Sequence, residues 1–179
     1  MAGGGAEKKV YLLDAASGDT MSFAAHESPI SAVRFVDIPS SPAPILATGS
    51  WDATVRYWDL RNTSQPLGKL QCGERVYSMD SAGSLLAIAT ADCNVHQVNL
   101  RSNPAAIGST VPSKLTHQTR FVAAAADGSR WAVGSIEGRC SAVSMDENEA
   151  KYVFLFFNLI IFPSRSYFFT LSPLFFFLP

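Results

Sequence analysis

Strand-forming residues come in short runs along this chain: Met21–Ala24, Ile30–Phe35, Ile45–Ser50 and Val55–Asp59 are the clearest. Gly, Pro, Ser, Asn and Asp separate them. No stretch of the body sustains a helical period, so strands rather than helices are expected. Three prolines between Asp37 and Pro44 forbid a strand there, and Trp51-Asp52-Ala53-Thr54 reads as a tight turn.

The runs repeat. Leu13-Asp14, Trp58-Asp59, Val98-Asn99 and Val143-Ser144 stand at spacings of 45, 40 and 45 residues, each behind a comparable tripeptide. Eight residues before each anchor stand Gly5, Ser50, Thr90 and Ser135. Six before stand Glu7, Asp52, Asp92 and Glu137, acidic every time. Small residues (Ala47, Gly49, Ala87, Ala89, Ala132, Gly134) line the third run of each unit and suit close packing of one unit on the next. Four short antiparallel strands every 40 to 45 residues form the unit of a β-propeller blade. An ordinary β-sandwich is the competing all-β reading.

The unit His26…Thr48-Gly49-Ser50-Trp51-Asp52…Trp58-Asp59 resembles the WD repeat. That resemblance implies a buried hydrogen-bonded tetrad of His26, Ser50, Asp52 and Trp58. The chemistry fits: Asp52 accepts, Trp58 donates, and His26 and Ser50 do both. The second unit keeps Thr90 and Asp92 but has Val98 for Trp, and the last keeps Ser135 and Glu137 with Val143, so the set is complete once. Ser50, His26 and Asp52 also make a nominal nucleophile triad. Their place on repeat columns favours the structural role.

Composition narrows the function. The net charge is −1, which argues against a purely electrostatic nucleic-acid binder. Three scattered cysteines, Cys72, Cys93 and Cys140, do not read as a secreted disulfide framework. Met1 to Lys9 lacks the apolar core of a signal peptide. His26, His96 and His117 have no metal-ligand spacing, and Gly3-Gly4-Gly5 precedes no helix. A binding protein without cofactor or catalytic site is expected.

The wording of the repeats narrows it further. ATGSWDATVRYW from Ala47, THQTRFV from Thr116 and GSIEGR from Gly134 resemble one small group over about Ala6 to Tyr152. Its members are the messenger RNA export factor of the nuclear pore and a sister, the spindle-checkpoint propeller that binds kinetochore kinases. Ala89-Thr90-Ala91 and His117-Gln118 lean to the export factor, whereas Thr119 and Leu100-Arg101-Ser102-Asn103 lean to the sister. The resemblance implies a non-enzymatic scaffold in the nucleus, at the nuclear pore and envelope, and also in the cytoplasm. It would bind an acidic nucleoporin peptide and reach messenger ribonucleoprotein indirectly. Trp51, Arg75, Arg120 and Arg139 fall in the loops and turns of one propeller face and are the candidate partner surface. Trp is an anchor residue at interfaces, and the arginine fork suits carboxylates.

The fold class is therefore all-β, a partial WD-repeat β-propeller over 1–152. It comprises three nearly whole blades and the end of a fourth, against the seven of the group it resembles. The segment 153–179 stands apart. Nine of the twelve phenylalanines lie there, with one charge, Arg165. Its first apolar run is too short to span a bilayer as a helix, and Pro163 and Arg165 interrupt any longer one. A membrane-surface or hydrophobic-core segment, a tail anchor and a pyrimidine-rich intron read in frame all compete. Read-through is favoured because Phe, Leu, Ser and Pro make up twenty of the 27 residues. This hydrophobic tail is expected to stay unrelated to the blades and outside their sheets.

Overall fold

The computed structural model describes residues 1–39, 41, 43–144 and 153–156. All regular structure among them is β-strand, arranged as four antiparallel sheets. The first holds β1 (Ala2–Gly4), β2 (Lys9–Leu13) and β3 (Thr20–Ala24). The second holds β4 (Ile30–Val36), β5 (Ile45–Ser50), β6 (Thr54–Trp58) and β7 (Gly68–Gln71). The third holds β8 (Val76–Ala82), β9 (Leu85–Thr90), β10 (Asn94–Asn99) and β11 (Ser109–Pro112). The fourth holds β12 (Thr119–Ala124), β13 (Arg130–Ser135), β14 (Arg139–Ser144) and β15 (Val153–Phe156). Each sheet is a meander in chain order.

Two expectations need correction. The repeat read from the sequence is offset by one strand from the folded sheet. Met21–Ala24 pairs with β2, Lys9 opposite Ala24 and Leu12 opposite Met21, so it closes the first sheet rather than opening the second. The fourth strand of the second sheet is β7, which pairs along β6. The first sheet accordingly has three strands, more than the end of a blade. The expectation that the hydrophobic tail stays outside the sheets also fails at its start. Val153–Phe156 pairs antiparallel along β14, from Ala142 opposite Val153 to Arg139 opposite Phe156. An open strand edge takes up any β-competent segment that reaches it, and VFLF is one. The rest of the hydrophobic tail, 157–179, lies outside the described residues.

The sheets stack face to face. Their first strands converge: β4 packs against β8 and β8 against β12, whereas β7 and β11 lie on the diverging side. Hydrogen bonds cross between the converging strands. Ser31 donates to Val76 O at 2.6 Å. Asp80 accepts from Arg34 Nε at 3.1 Å on one side and from the Ala124 amide at 2.9 Å on the other. Single carboxylate oxygens thus tie the third sheet to both neighbours.

Each junction is a small-on-large contact. Val10, Leu12, Leu46 and Trp58 fill the first. Ala47, Val55 and Tyr57 meet Met79, Ile88 and Val98 in the second. Ala87, Ala89 and Val95 meet Val122, Trp131 and Val133 in the third. A Cβ on Gly4 would stand 2.7 Å from Ile30, and one on Gly49 would stand 2.7 Å from Val76. Glycine lets those sheets approach closely.

The turn inside each unit repeats as well. Lys8, Ala53, Cys93 and Gly138 all have φ between 62° and 78°, and their spacing is again 45, 40 and 45 residues. This left-handed position follows the acidic column and reverses the chain. The first strands of the second, third and fourth sheets also carry an irregularity near their starts: pairing shifts between Ile30 and Ala32, Val76 and Ser78, and Thr119 and Phe121. Ser31, Tyr77 and Arg120 are the inserted residues.

Candidate functional site

The buried polar set is a relay. The side chain of His26 lies beneath the surface between β5 and the β5–β6 turn. Its Nδ1 is 2.9 Å from Asp52 Oδ2, and its Nε2 is 2.7 Å from Thr48 Oγ1. Trp58 Nε1 donates to the same Thr48 oxygen at 2.9 Å. One proton arrangement satisfies every contact: the indole N–H points at Thr48, the Thr48 hydroxyl at Nε2, and Nδ1–H at the carboxylate. Thr54 closes the far side, giving Asp52 Oδ1 its hydroxyl at 2.6 Å and its amide at 3.0 Å. Arg56 stands 3.6 Å from Asp52.

The hydroxyl between His26 and Trp58 is therefore Thr48, not the expected Ser50. Ser50 is fully buried and donates to a bifurcated pair of carbonyls, Ser28 O at 3.0 Å and Pro29 O at 2.9 Å. It fastens the loop that carries His26. The reason is reach: residues 48 and 50 share a face of β5, but the imidazole crosses the sheet one step lower. A Ser–His pair for nucleophilic chemistry is not formed.

Electrostatics match a fixed network. Burial holds the His26 imidazole below its ordinary pKa of 6.5, against the pull of Asp52, so the ring is neutral. Burial works to raise the pKa of Asp52, but hydrogen bonds from Thr54 and His26 outweigh it and the carboxyl lies below 3.8. Burial likewise pushes the Cys72 thiol up to about 12, which disarms it as a nucleophile. Among the described residues, no group of three or more His, Cys, Asp and Glu side chains is placed to hold a metal. Among the described residues no helix is long and apolar enough to cross a membrane.

The four candidate surface residues lie at one end of the sheets, the end bearing the tight turns. Trp51 opens the β5–β6 turn; its amide is held by Pro29 O at 3.0 Å and the residue is 46% exposed. Arg75 precedes β8, and its carbonyl accepts from Ala91, the residue equivalent to Trp51. Arg120 is the bulge residue of β12 and Arg139 opens β14; all three arginines are exposed. Bulges re-aim side chains beside functional sites, and here the same bulge presents Tyr77 and Arg120 in successive sheets.

Two residues that sequence reasoning missed join this end. Tyr77 meets Trp51 edge-on, with ring centroids 6.4 Å apart, and its hydroxyl accepts from Gln118 Nε2 at 2.6 Å. Trp51, Tyr77 and Gln118 form a polar-edged aromatic ledge across three sheets. Arg139 shares Glu137 with His117, at 3.6 and 3.0 Å, so its charge is partly neutralised. The bulge that recurs at Ser31, Tyr77 and Arg120 was the signal for Tyr77, but it shows only in the strand register.

Residues 18–59 match the family model described as WD domain, G-beta repeat. The chain is similar to the WD40 repeat protein poxJ of Penicillium oxalicum, 46% identical over 86% of this chain and 44% of that protein. It is 41% identical to the mRNA export factor GLE2 of Chaetomium thermophilum, over 85% of this chain and 42% of that one. The poly(A)+ RNA export protein of Schizosaccharomyces pombe is 42% identical over 87% and 44%. The mitotic checkpoint protein BUB3.1 of Arabidopsis thaliana matches less of this chain, 69%, at 38% identity. The chain spans less than half the length of these curated relatives.

Proposed function

Since the chain is a WD-repeat protein, a partial β-propeller related to mRNA export factors, we propose that it is a non-enzymatic scaffold in messenger RNA export. It acts in the nucleus and at the nuclear pore, with a cytoplasmic share. Its partner is an acidic nucleoporin peptide, and messenger ribonucleoprotein is reached indirectly. The observation that supports this is the ledge of Trp51 and Tyr77, half open to solvent at the end of the sheets that also bears Arg75, Arg120 and Arg139. An exposed aromatic anchor among arginines suits a peptide of apolar and acidic residues.

Titration of the purified chain with an acidic nucleoporin peptide tests it. Arg120→Ala is expected to weaken binding by about 1–3 kcal/mol. Unchanged affinity with the fold intact would remove Arg120 from the surface. The checkpoint role is the second reading, resting on the likeness to BUB3.1. A pull-down that enriches kinetochore kinases, without the nucleoporin motif, would favour it.

A further inference from the structure

The tight turns of the second and third sheets are built alike but carry different side chains. In each, the first turn residue donates its amide to the carbonyl just ahead of a first strand: Trp51 to Pro29 O at 3.0 Å, Ala91 to Arg75 O at 2.9 Å. The two side chains therefore start from equivalent places. Trp51 uses its place to meet Tyr77, the bulge residue of the next sheet. At the following junction the bulge residue is Arg120, and the residue in the place of the indole is Ala91. A methyl group does not extend as far as an indole. The ledge that Trp51 raises between the second and third sheets thus steps down between the third and fourth.

The step comes from a short side chain, not from parted sheets. Gln118 crosses the same junction to the Tyr77 hydroxyl at 2.6 Å, and Cys93 Sγ meets His117 O at 3.6 Å. The charges around it are uneven. Asp92 is occupied by Thr90 and Asn94, each at 2.6 Å, and Glu137 by His117 and Arg139. Glu74 is exposed beside Arg75. Arg75 and Arg120 are exposed and make no ion pair among the described residues.

We propose that the partner peptide supplies the missing ring. An aromatic side chain flanked by carboxylates seats over Ala91 against Arg120, as Trp51 seats against Tyr77. This rests on the acidic-peptide reading and adds the side chain that such a peptide must carry between its charges. A guanidinium attracts the face of an aromatic ring, and flanking carboxylates suit the arginine forks. Ala91 is then the specificity-determining residue: a small side chain, where the second sheet has tryptophan, admits a ring from outside.

Two synthetic peptides of equal charge test this, one with phenylalanine among glutamates and one with serine in its place. Each is titrated against the full 179-residue chain. The phenylalanine peptide should bind about tenfold more tightly, as a seated aromatic anchor does. Ala91→Trp fills the step from within and should abolish that preference, while the serine peptide binds as before. Ala91→Ser keeps the step and should keep the preference. Circular dichroism checks that each variant retains its strands; should Ala91→Trp lose them, Ala91→Leu reads the same loss of preference. Equal affinity of the two peptides for the unaltered chain, or a preference that survives the filled step, would overturn the proposal and leave the acidic-peptide reading standing. Binding of neither peptide would overturn both.

Discussion

At the scale of single residues, Thr48 is the pivot. Its oxygen takes the Trp58 N–H, and its hydroxyl reaches His26. Thr48→Val keeps the shape and leaves Trp58 Nε1 and His26 Nε2 buried without this partner. It should cost about 1–3 kcal/mol in chemical denaturation, and a loss under 0.5 kcal/mol, the floor for such a bond, would contradict the relay. The neutral, buried His26 also sets a pH dependence. Its pKa is lower folded than unfolded, so the unfolded chain binds more protons as pH falls below about 6.5. Stability present at pH 7.5 should drop on acidification through that window, and again below 3.8, where protonating Asp52 removes the relay's anchor. His26→Gln should flatten the first step in denaturation midpoints measured across pH; an unchanged step would assign it elsewhere. His96, also held below 6.5 by burial, adds a share of the same sign. The sequence led to Ser50 for a physical reason. Hydroxyls recur at Ser50, Thr90 and Ser135, whereas Thr48 shares its column with Ile88 and Val133. A network built only once leaves no repeat to read.

At the scale of elements, the turn column matters most. Ala53 and Cys93 hold left-handed backbone at φ 63° and 62°, where Gly138 in the last unit has no Cβ to strain. Ala53→Gly should therefore stabilise the chain by about 0.5–1 kcal/mol, the strain relieved exceeding the added freedom of the unfolded chain. A lower urea midpoint would mean that the Ala53 methyl packs more than it strains. This column shares the spacing of the anchors, yet composition hid it, because one member of four is glycine. The strands of the repeat were legible from alternation and punctuation. The grouping into sheets was not: β3, β7 and β11 are mostly exposed, so their pattern does not say which neighbour they join. The end bearing Trp51 and the three arginines followed from the repeat register, but Tyr77 entered through a bulge that no residue type announces.

At the scale of the whole molecule, three junctions hold the four sheets of the described residues, and the sheets pack in chain order. Stability in such an array is a sum of local terms, so the second and third sheets, flanked on both sides, should be its most durable part. Asp80 adds something that apolar packing cannot. Greasy faces slide over one another with little resistance, but a carboxylate gripping Arg34 on one side and the Ala124 amide on the other indexes three sheets to a common height. In mechanical terms it is a detent. Under load the array should resist slip along its converging strands.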